Sequence, residues 1–399
     1  MSLLTSARPA MTQSMKLPHA LHVHVIRDYD SLQTIHEEWA ELAAETAPDN
    51  FFATWEFGSS WWEAYGSGLE LFVIVCRKGQ EVVAIAPLYR TITSGPAGSK
   101  FNTLRLIGDG SDDADGFQFL LRAENGEQCL EEIVRFLSDH PGEWDLMELN
   151  ALPEEHTPAL HRRIKRCGWI DRLQFTPHLV VFLPSTWKEY LSSLPWKAKM
   201  NLSREVRRAQ EIFDLHLRHC TEVESVSAYL DVALDLHQAT WKGQGMEGKS
   251  GKEERRQFYL NLCQRACETG KLDLTILEAN GVPCASLIGF RSGSTRHKVL
   301  AGRDRGLDRF SMGTVIHALL LQHAIEEGAR SYDFLSGADF YKKRLGATVG
   351  RYVDLKFARP RTRAGIWLAA QNSSTEGARW LRTRMPVVLN MMKKMSGRK

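Results

Sequence analysis

The hydrophobic positions of the chain follow two periods, and their succession predicts an α+β protein. Strands are predicted in the first half, from alternation or short apolar runs, at 21–26, 71–77, 81–90, 103–107, 117–121 and 144–149. Helices are predicted from helical spacing at 31–45, 127–137 and 158–166. An aromatic-rich segment at 51–65 is expected to pack in the core and between domains, rather than to form a platform for a ligand.

The second half repeats this succession. Helices are predicted at 187–194, 197–213, 223–241 and 253–268, and strands at 272–278, 282–291, 295–302 and 331–335. An amphipathic helix starts near Met312 and ends at Gly328, a residue typical of helix C-termini. In each half, antiparallel strands precede a helix and a strand that can join the sheet only by a crossover.

This repeated order predicts two tandem α+β domains, each a mixed, mostly antiparallel sheet flanked by helices. The expected division is a disordered arm at 1–20, an N-terminal domain at 21–170, a C-terminal domain at 171–360 and a basic tail at 361–399.

Composition and charge then narrow the function. The chain has 399 residues, 43% of them hydrophobic, and a formal net charge of +3, so nothing in its overall charge calls for nucleic acid. Its seven cysteines have neither a disulfide spacing nor paired metal-ligand spacing, which indicates reduced thiols in a cytoplasmic protein. No signal sequence and no apolar stretch of about 20 residues is visible.

Several motifs are absent or incomplete. The sequence contains no G-x-S-x-G, no Walker lysine loop and no H-E-x-x-H, so hydrolase and nucleotide-triphosphatase chemistry lacks support. Residues 108–116 resemble a calcium loop, but the twelfth position counted from Asp109 is Leu120 instead of a glutamate. We therefore expect an acidic surface loop there and no metal site.

A candidate anion site lies where the helix near Met312 begins. Free backbone N–H groups and the helix dipole favour a phosphate at such a terminus. The candidate residues for binding the cofactor phosphates are Arg309, Ser311, Met312, Gly313 and Thr314. Ser311 is expected to cap the helix, Gly313 to permit close approach and Arg309 to add charge; an ordinary capped helix is the alternative. The matching helix of the first half begins at Asn125-Gly126-Glu127, with an acid where phosphate would bind.

Several segments share a family resemblance: 87–90, 191–208, 236–243, 303–314 and 332–342. In them the sequence resembles GNAT-superfamily acyltransferases of a bacterial branch associated with cellulose and exopolysaccharide biosynthesis, which is related to the Fem-type aminoacyltransferases. The resemblance covers about residues 50–358 and is strongest from 187 to 345. It implies two GNAT-like domains, with the acyl donor bound by the second and the acceptor held near their interface.

The resemblance implies an N-acyltransferase that uses acyl-CoA and an amine-bearing small molecule or envelope precursor. Residues 303–314 contain fewer glycines than the usual GNAT pyrophosphate signature. A Fem-type aminoacyl-tRNA transferase and a non-catalytic GNAT scaffold in a polysaccharide-synthesis assembly therefore stay open as alternatives.

Proton transfer and acceptor binding need further residues. Asp333, His237 and Tyr341 are the candidates for proton handling, with a structural carboxylate and a packed histidine as the alternatives for the first two. Lys342 is a candidate for holding an acidic acceptor or the donor phosphates, and Trp241 is a candidate for substrate contact.

Two basic segments are candidates for partner contacts. Arg204 and Arg208 lie on a basic helix face at 197–208, which we expect to attract an anionic acceptor unless it is merely solvated. The basic, partly apolar segment at 379–399 could touch an anionic membrane surface or be a solvated tail.

Overall fold

The computed structural model describes residues 21–111, 113–241, 253–337 and 340–384, and for Trp241, Phe340 and 374–384 only the backbone. The predicted arm at 1–20 and the end of the predicted tail, residues 385–399, lie outside these ranges. No helix in the described ranges is both long enough and apolar enough to cross a bilayer.

Among the residues that the structure describes, the first half of the chain forms eight strands and five α-helices. In order they are β1 Leu21–Ile26, α1 Tyr29–Gln33, α2 His36–Thr46, α3 Trp55–Tyr65, β2 Glu70–Leu71, β3 Val73–Lys78, β4 Glu81–Ala86, β5 Leu88–Ser94, β6 Lys100–Leu106, β7 Leu120–Leu121, α4 Gly126–Asp139, β8 Leu146–Pro153 and α5 Thr157–Arg166. The aromatic-rich segment thus contains a helix, α3, which its side-chain pattern did not predict.

In its described residues, the second half of the chain forms seven strands and seven α-helices. In order they are β9 Ile170–Phe182, α6 Trp187–Ser193, α7 Trp196–Ile212, β10 Leu215–His219, α8 Val226–Trp241, α9 Glu253–Glu268, β11 Leu272–Ala279, β12 Val282–Ser292, β13 Thr295–Arg303, α10 Met312–Glu326, β14 Ser331–Ser336, α11 Phe340–Arg344, β15 Thr348–Ala358 and α12 Arg363–Arg384. The elements predicted between 187 and 335 are all found, whereas β9, β10 and β15 were not predicted.

A proline divides one predicted strand into two. The strand expected at 81–90 breaks at Pro87, which has no N–H group to give to a sheet and ends the pairing of β4. As a result, β4 lies in a four-stranded sheet of order β1-β3-β4-β7, while β5 continues into a separate sheet.

The larger sheet joins the two halves of the chain. Its eleven strands have the order β10-β11-β12-β13-β14-β9-β15-β8-β6-β5-β2. Two of its described pairings are parallel, β6 with β8 and β13 with β14, and the others are antiparallel. This mixed, mostly antiparallel sheet flanked by helices confirms the predicted fold class.

The last strand crosses the expected domain division. Strand β15 pairs with β9 along its whole length, from Thr348 opposite Val180 to Ala358 opposite Ile170. On its other side it pairs with β8, which belongs to the first half. The division into 21–170 and 171–360 stays a prediction, because the sheet is continuous across it.

Aromatic side chains fill the core between the halves. Phe51 is fully buried and stacks on Phe290 of β12, with ring centroids 4.2 Å apart and planes within 1°. Phe57 meets Phe258 of α9 edge to face at 5.9 Å. Full burial of such a side chain contributes about 1.5–3 kcal/mol. The aromatic segment therefore packs in the core, against residues of the second half of the chain, while packing between separate domains stays a prediction.

Candidate functional site

Two parallel strands separate in the middle of the larger sheet. Strands β13 and β14 are paired only where Thr295 to His297 face Ser331 to Asp333. Beyond that point β13 continues along β12 to Arg303, and β14 continues to Ser336 without a partner in β13. The sheet therefore opens between these strands, toward their C-terminal ends.

A bulge in β13 lies beside the opening. Lys298 pairs with Gly289 of β12 and Leu300 pairs with Ile288, so Val299 is an extra residue in β13. Gly289 is required here, because a Cβ would lie 2.6 Å from the carbonyl oxygen of His297.

A cavity of about 550 Å³ occupies the opening and is lined by both halves of the chain. The second half contributes Lys298, Val299 and Ser336 among others. The first half contributes Asp109 and Asn150, and β15 contributes Asp354. The cavity therefore combines carboxylates of the first half and of β15 with the extra residue of β13.

Asp109 is the carboxylate best suited to accept a proton. It is 7% exposed and accepts a hydrogen bond from Asn150 Nδ2 at 2.9 Å. Burial raises the pKa of Asp109 to about 6, against the opposing charge of Arg105. A carboxylate with such a pKa is ionised at neutral pH and close to the value at which it can take up a proton.

The loop that carries Asp109 corrects the sequence-based expectation of an acidic surface loop. Asp113 is buried and its carboxylate accepts from Arg255 Nε at 2.7 Å, Tyr259 Oη at 3.2 Å and Tyr65 Oη at 2.9 Å. Asp115 accepts from the backbone N–H of Ser336 at 2.9 Å. The loop therefore bonds to α9 and β14 in the second half of the chain. In the described residues, no group of three or more His, Cys, Asp or Glu side chains is arranged to hold a metal.

Asp333 lies at the point where β13 and β14 separate. Its Oδ1 accepts from His178 Nε2 at 2.8 Å and from the N–H of Leu335 at 2.7 Å, and its Oδ2 lies 3.5 Å from His297 Nδ1. Burial alone would raise the pKa of Asp333, but the two histidines hold it well below its ordinary value. This carboxylate stays ionised and orients His178, so it is poorly suited to remove a proton itself.

The other two proton-handling candidates are packed against the protein. His237 of α8 lies 2.9 Å through Nδ1 from the carbonyl oxygen of Ala301, and burial lowers its pKa. Gly302 allows α8 to lie this close to β13, since a Cβ there would lie 2.3 Å from the backbone nitrogen of His237. Tyr341 of α11 stacks on His317 with centroids 5.6 Å apart. His237 therefore joins a helix to β13, whereas Tyr341 lies nearer to the end of β14.

Lys342 and Trp241 are the two predicted substrate residues near these elements, and the structure describes the side chain of Lys342 alone. Lys342 is 3% exposed, and its Nζ donates to the carbonyl oxygens of Phe334, Ser336 and Gly337. It lines the cavity but is engaged in holding the end of β14. Trp241 is the last residue of α8, and its side chain lies outside the described part of the chain.

The helix expected near Met312 begins there, but its cap differs from the expected one, and the phosphate site itself stays a prediction. Ser311 precedes α10 in a left-handed conformation, with φ 57° and ψ 37°, and its side chain makes no capping hydrogen bond. Met312 and Gly313 therefore begin the helix with N–H groups that have no carbonyl partner in it. A Cβ on Gly313 would lie 3.1 Å from Cδ of Arg303, so glycine keeps this approach open. Thr314 follows in the first turn.

The basic face of α7 lies beside this loop. The guanidinium groups of Arg309 and Arg208 lie 4.6 Å and 5.4 Å from the centre of the Phe310 ring. Arg204, one turn earlier, donates to Asn201 Oδ1 at 3.0 Å and is exposed. Arg208 therefore lies at the predicted donor loop, and neither arginine lines the cavity between β13 and β14. Their part in binding an acceptor stays a prediction.

The matching helix of the first half has no such site. Glu127 in the first turn of α4 is paired with Arg163, whose guanidinium also donates to the Glu127 carbonyl at 2.8 Å. The acid predicted from the sequence is thus engaged by a cation of the protein itself. In the second half of the chain, by contrast, the opening in the sheet lies beside a helix N-terminus that has no such acid in its first turn.

The part of the chain that forms this opening is similar to a known family of domains. Residues 197–343 match the family model described as an acetyltransferase (GNAT) domain. This match extends from α7 to α11. The match includes Arg208, the loop before α10, and Asp333.

Solved structures share the fold across most of the chain. FemX aligns with a TM-score of 0.55 at 10% identity, over 80% of this chain and 95% of that one. The C-terminal domain of a putative lysylphosphatidylglycerol synthetase from Agrobacterium fabrum aligns with a TM-score of 0.52 at 12% identity, over 86% and 96%. L-PGS from Bacillus licheniformis gives the same values. A comparison with curated proteins found no significant match.

Proposed function

We propose that this chain is an N-acyltransferase that moves an acyl group from acyl-CoA to an amine, in polysaccharide or cell-envelope biosynthesis. The observation that carries the proposal is the cavity between β13 and β14, with the bulge at Val299 on one side and Asp109 on the other. The GNAT match over 197–343 supports the same chemistry. Such an enzyme would act in the cytoplasm, and the segment 379–399 stays a candidate for peripheral membrane contact.

The donor would lie along the open edge of β13. Its phosphates would accept from the first N–H groups of α10, with Arg309 and Arg208 adding positive charge. Its acyl carbonyl would accept from the Val299 N–H, which stabilises the negative charge that develops on the oxygen. Donor phosphates and acyl group would then lie at opposite ends of one strand.

The acceptor amine would enter the cavity as an ammonium ion. Asp109 would take one proton, which leaves a nitrogen lone pair free to attack the carbonyl carbon. The new C–N bond forms and the C–S bond of the thioester breaks. The nitrogen loses its extra proton, and the leaving thiolate takes up one proton, so that a neutral amide and the free CoA thiol result. Tyr341 stays the candidate to donate that proton.

One observation favours a second donor. The basic face of α7 extends beyond Arg208 through Arg204 and Arg207, which is more positive surface than the phosphates of one CoA would use. A Fem-type enzyme would use that surface for an aminoacyl-tRNA, and FemX shares the fold. A non-catalytic scaffold would bind neither donor.

The proposal is tested by binding and by turnover. Acetyl-CoA should raise the thermal unfolding midpoint of the wild type by mass action. The Gly313→Val protein should bind CoA about tenfold more weakly, because the valine side chain at the start of α10 would displace the Arg303 side chain, which reaches it from the end of β13. Gly142→Val is the matched control, since a Cβ at Gly142 meets nothing within 4 Å.

Turnover separates the alternatives. Release of free CoA thiol from acetyl-CoA in the presence of a panel of amines would establish the acyltransferase. Transfer from aminoacyl-tRNA, with none from acetyl-CoA, would establish the second donor. Unchanged CoA affinity in a folded Gly313→Val protein would move the donor site elsewhere. Absence of binding and turnover with both donors would favour the scaffold.

A further inference from the structure

Helix α7 exposes large apolar side chains on the side that faces away from the protein. Its buried residues are Leu202 and Ala209, and it packs against α10. On the opposite side Trp196 is 76% exposed and Met200 is 49% exposed. Residues four apart on a helix are neighbours, so these two side chains form one apolar patch at the N-terminal end of α7. Among the described residues, no other large hydrophobic side chain is as exposed as Trp196.

Cations continue this side of the helix. Arg204 and Arg207 follow Met200 at spacings of four and seven residues, which keeps them on the side of Trp196. Lys197 lies beside them in the first turn and is exposed. We refer to these five residues as the outer face of α7: Trp196, Lys197, Met200, Arg204 and Arg207.

The charge of α7 is strongly positive for its length. The helix contains five cations and two acids: Lys197, Lys199, Arg204, Arg207 and Arg208, against Glu205 and Glu211. Its balance is therefore +3, as large as that of the whole chain of 399 residues. The half-buried Glu205 is paired with Arg344 of α11 at 2.9 Å, so it does not oppose the cations of the outer face.

The combination of an indole, a thioether and cations fits one kind of partner. An indole ring prefers the boundary between lipid headgroups and acyl chains. Lysine and arginine beside it bury their apolar stems and keep their charges among anionic headgroups. A nucleic acid would use the cations, but it gives Met200 no apolar surface to enter. An anionic bilayer uses both the apolar patch and the cations.

Helix α7 also places such a surface close to the reaction cavity. Its N-terminal half is joined to α11 by the pair of Glu205 with Arg344. Leu194, just before α7, packs against Gly346, where a Cβ would lie 2.7 Å from Leu194 Cδ2. Lys342 of α11 lines the cavity between β13 and β14. A membrane on the outer face would therefore lie one helix diameter, about 10 Å, from α11.

We propose that the outer face of α7 binds an anionic membrane surface. Trp196 and Met200 insert at the level of the headgroups, and the cations pair with lipid phosphates. This inference does not depend on the acyl donor, since the outer face lies outside the cavity of the proposed reaction. The segment 379–399 is a separate candidate for membrane contact, and the test leaves it unchanged.

Co-sedimentation of the full chain with extruded vesicles measures the binding. Vesicles of phosphatidylcholine and phosphatidylglycerol in equal shares should bind the wild type at least about tenfold more strongly than vesicles of phosphatidylcholine alone, because each cation near an anionic surface adds to the affinity. The difference should shrink as salt shortens the Debye length. Equal binding to the two kinds of vesicle, or binding to neither, would overturn the proposal.

Substitutions locate the binding to the outer face of α7. Trp196→Ser should weaken binding to the anionic vesicles about tenfold, because it removes the largest inserted side chain. Lys197→Gln should weaken it about fivefold, the share of one cation near the surface. Brominated acyl chains should quench the tryptophan emission of the wild type more than that of Trp196→Phe, because this indole enters the lipid. Equal quenching of the two proteins would refute the insertion of Trp196.

Two matched controls lie on other parts of the surface. Ile92→Ser removes an apolar side chain of β5 that is 56% exposed, and Arg135→Gln removes a cation of α4 that is 66% exposed. Both should bind the vesicles like the wild type, and all these variants should keep its thermal unfolding midpoint, since each replaced side chain is exposed.

Three outcomes would contradict the assignment to α7. Full binding by a folded Trp196→Ser protein would show that another segment, such as 379–399, accounts for it. Equal losses in the controls would show that the effect is not specific to this face. Binding of tRNA by the wild type, with binding to neither kind of vesicle, would assign the face to nucleic acid.

Discussion

Replacing Asp109 by asparagine should stabilise the protein at neutral pH while it removes activity. Burial holds the pKa of Asp109 at about 6, above the 3.8 of an ordinary aspartate. Because the folded state binds this proton more tightly than the unfolded chain, the contribution of Asp109 to stability is fully present below pH 3.8. It is lost as the pH rises through about 6.

The magnitude follows from the difference in pKa. A change from 3.8 to about 6 corresponds to about 3 kcal/mol of unfolding free energy that the ionised carboxylate costs at pH 7.5. The asparagine does not ionise and can still accept from Asn150 Nδ2, so most of that cost should disappear. We expect Asp109→Asn to be about 1–3 kcal/mol more stable than the wild type at pH 7.5, and close to it at pH 3.5.

Urea unfolding of both proteins at the two pH values is the assay. Asp171→Asn is a control whose expected change in stability has the opposite sign. Lys165 and His161 lower the pKa of Asp171 against the effect of its burial, so the folded protein favours the ionised carboxylate. Its replacement should therefore destabilise the protein at pH 7.5. In the acyl-transfer assay Asp109→Asn should lose most of kcat, about 100-fold or more, as expected for a missing base. A destabilised but active Asp109→Asn protein would refute both the burial argument and the role of the base.

Three further outcomes are expected. Arg208→Glu should weaken CoA binding more than Arg204→Glu, since of these two arginines Arg208 is the one that contacts Phe310 of the predicted donor loop. The difference should shrink as salt shortens the Debye length below about 8–10 Å. Equal effects of the two substitutions would refute the placement of the CoA phosphates at this loop. Phe290→Ala should lower the free energy of unfolding by about 3–5 kcal/mol in denaturant titrations, because it leaves a cavity against Phe51. Activity should rise with pH through about 6 as Asp109 ionises, and a flat profile from pH 5 to 8 would contradict its role.

Most of the fold could be predicted from hydrophobic periodicity. Helices such as α4 and strands such as β11 and β12 carry strong local patterns, and their predicted positions differ from the observed ones by a few residues. Strand β9 was missed because it is mostly half-buried and contains Pro177, so its alternation is weak. Strand β15 has the same difficulty, with four exposed residues at its start.

The candidate site could be predicted only in part, for a different reason. The donor loop is local, so glycine and serine before an apolar helix indicated it. The partner of Asp333 is His178, which lies 155 residues away on an unpredicted strand, and no spacing rule connects them. Asp109 was taken for a surface residue because a loop rich in Gly and Asp is usually solvated. Its neighbours include Tyr89, Asn150 and Asp354, which lie far from it in the sequence and which no local pattern connects to it.

The insertion of β15 between β8 and β9 sets a condition on how the chain reaches its native state during synthesis. Residues 146–182 leave the ribosome about 170 residues before the strand that pairs with both of them, so at about 5–20 residues per second two strand edges lack their partner for about 8–34 s. Such edges are open to pairing with other chains. A ribosome that stalls before residue 348 would therefore release a product that lacks the strand between β8 and β9 and keeps both edges open, and which should aggregate rather than remain a partly active enzyme.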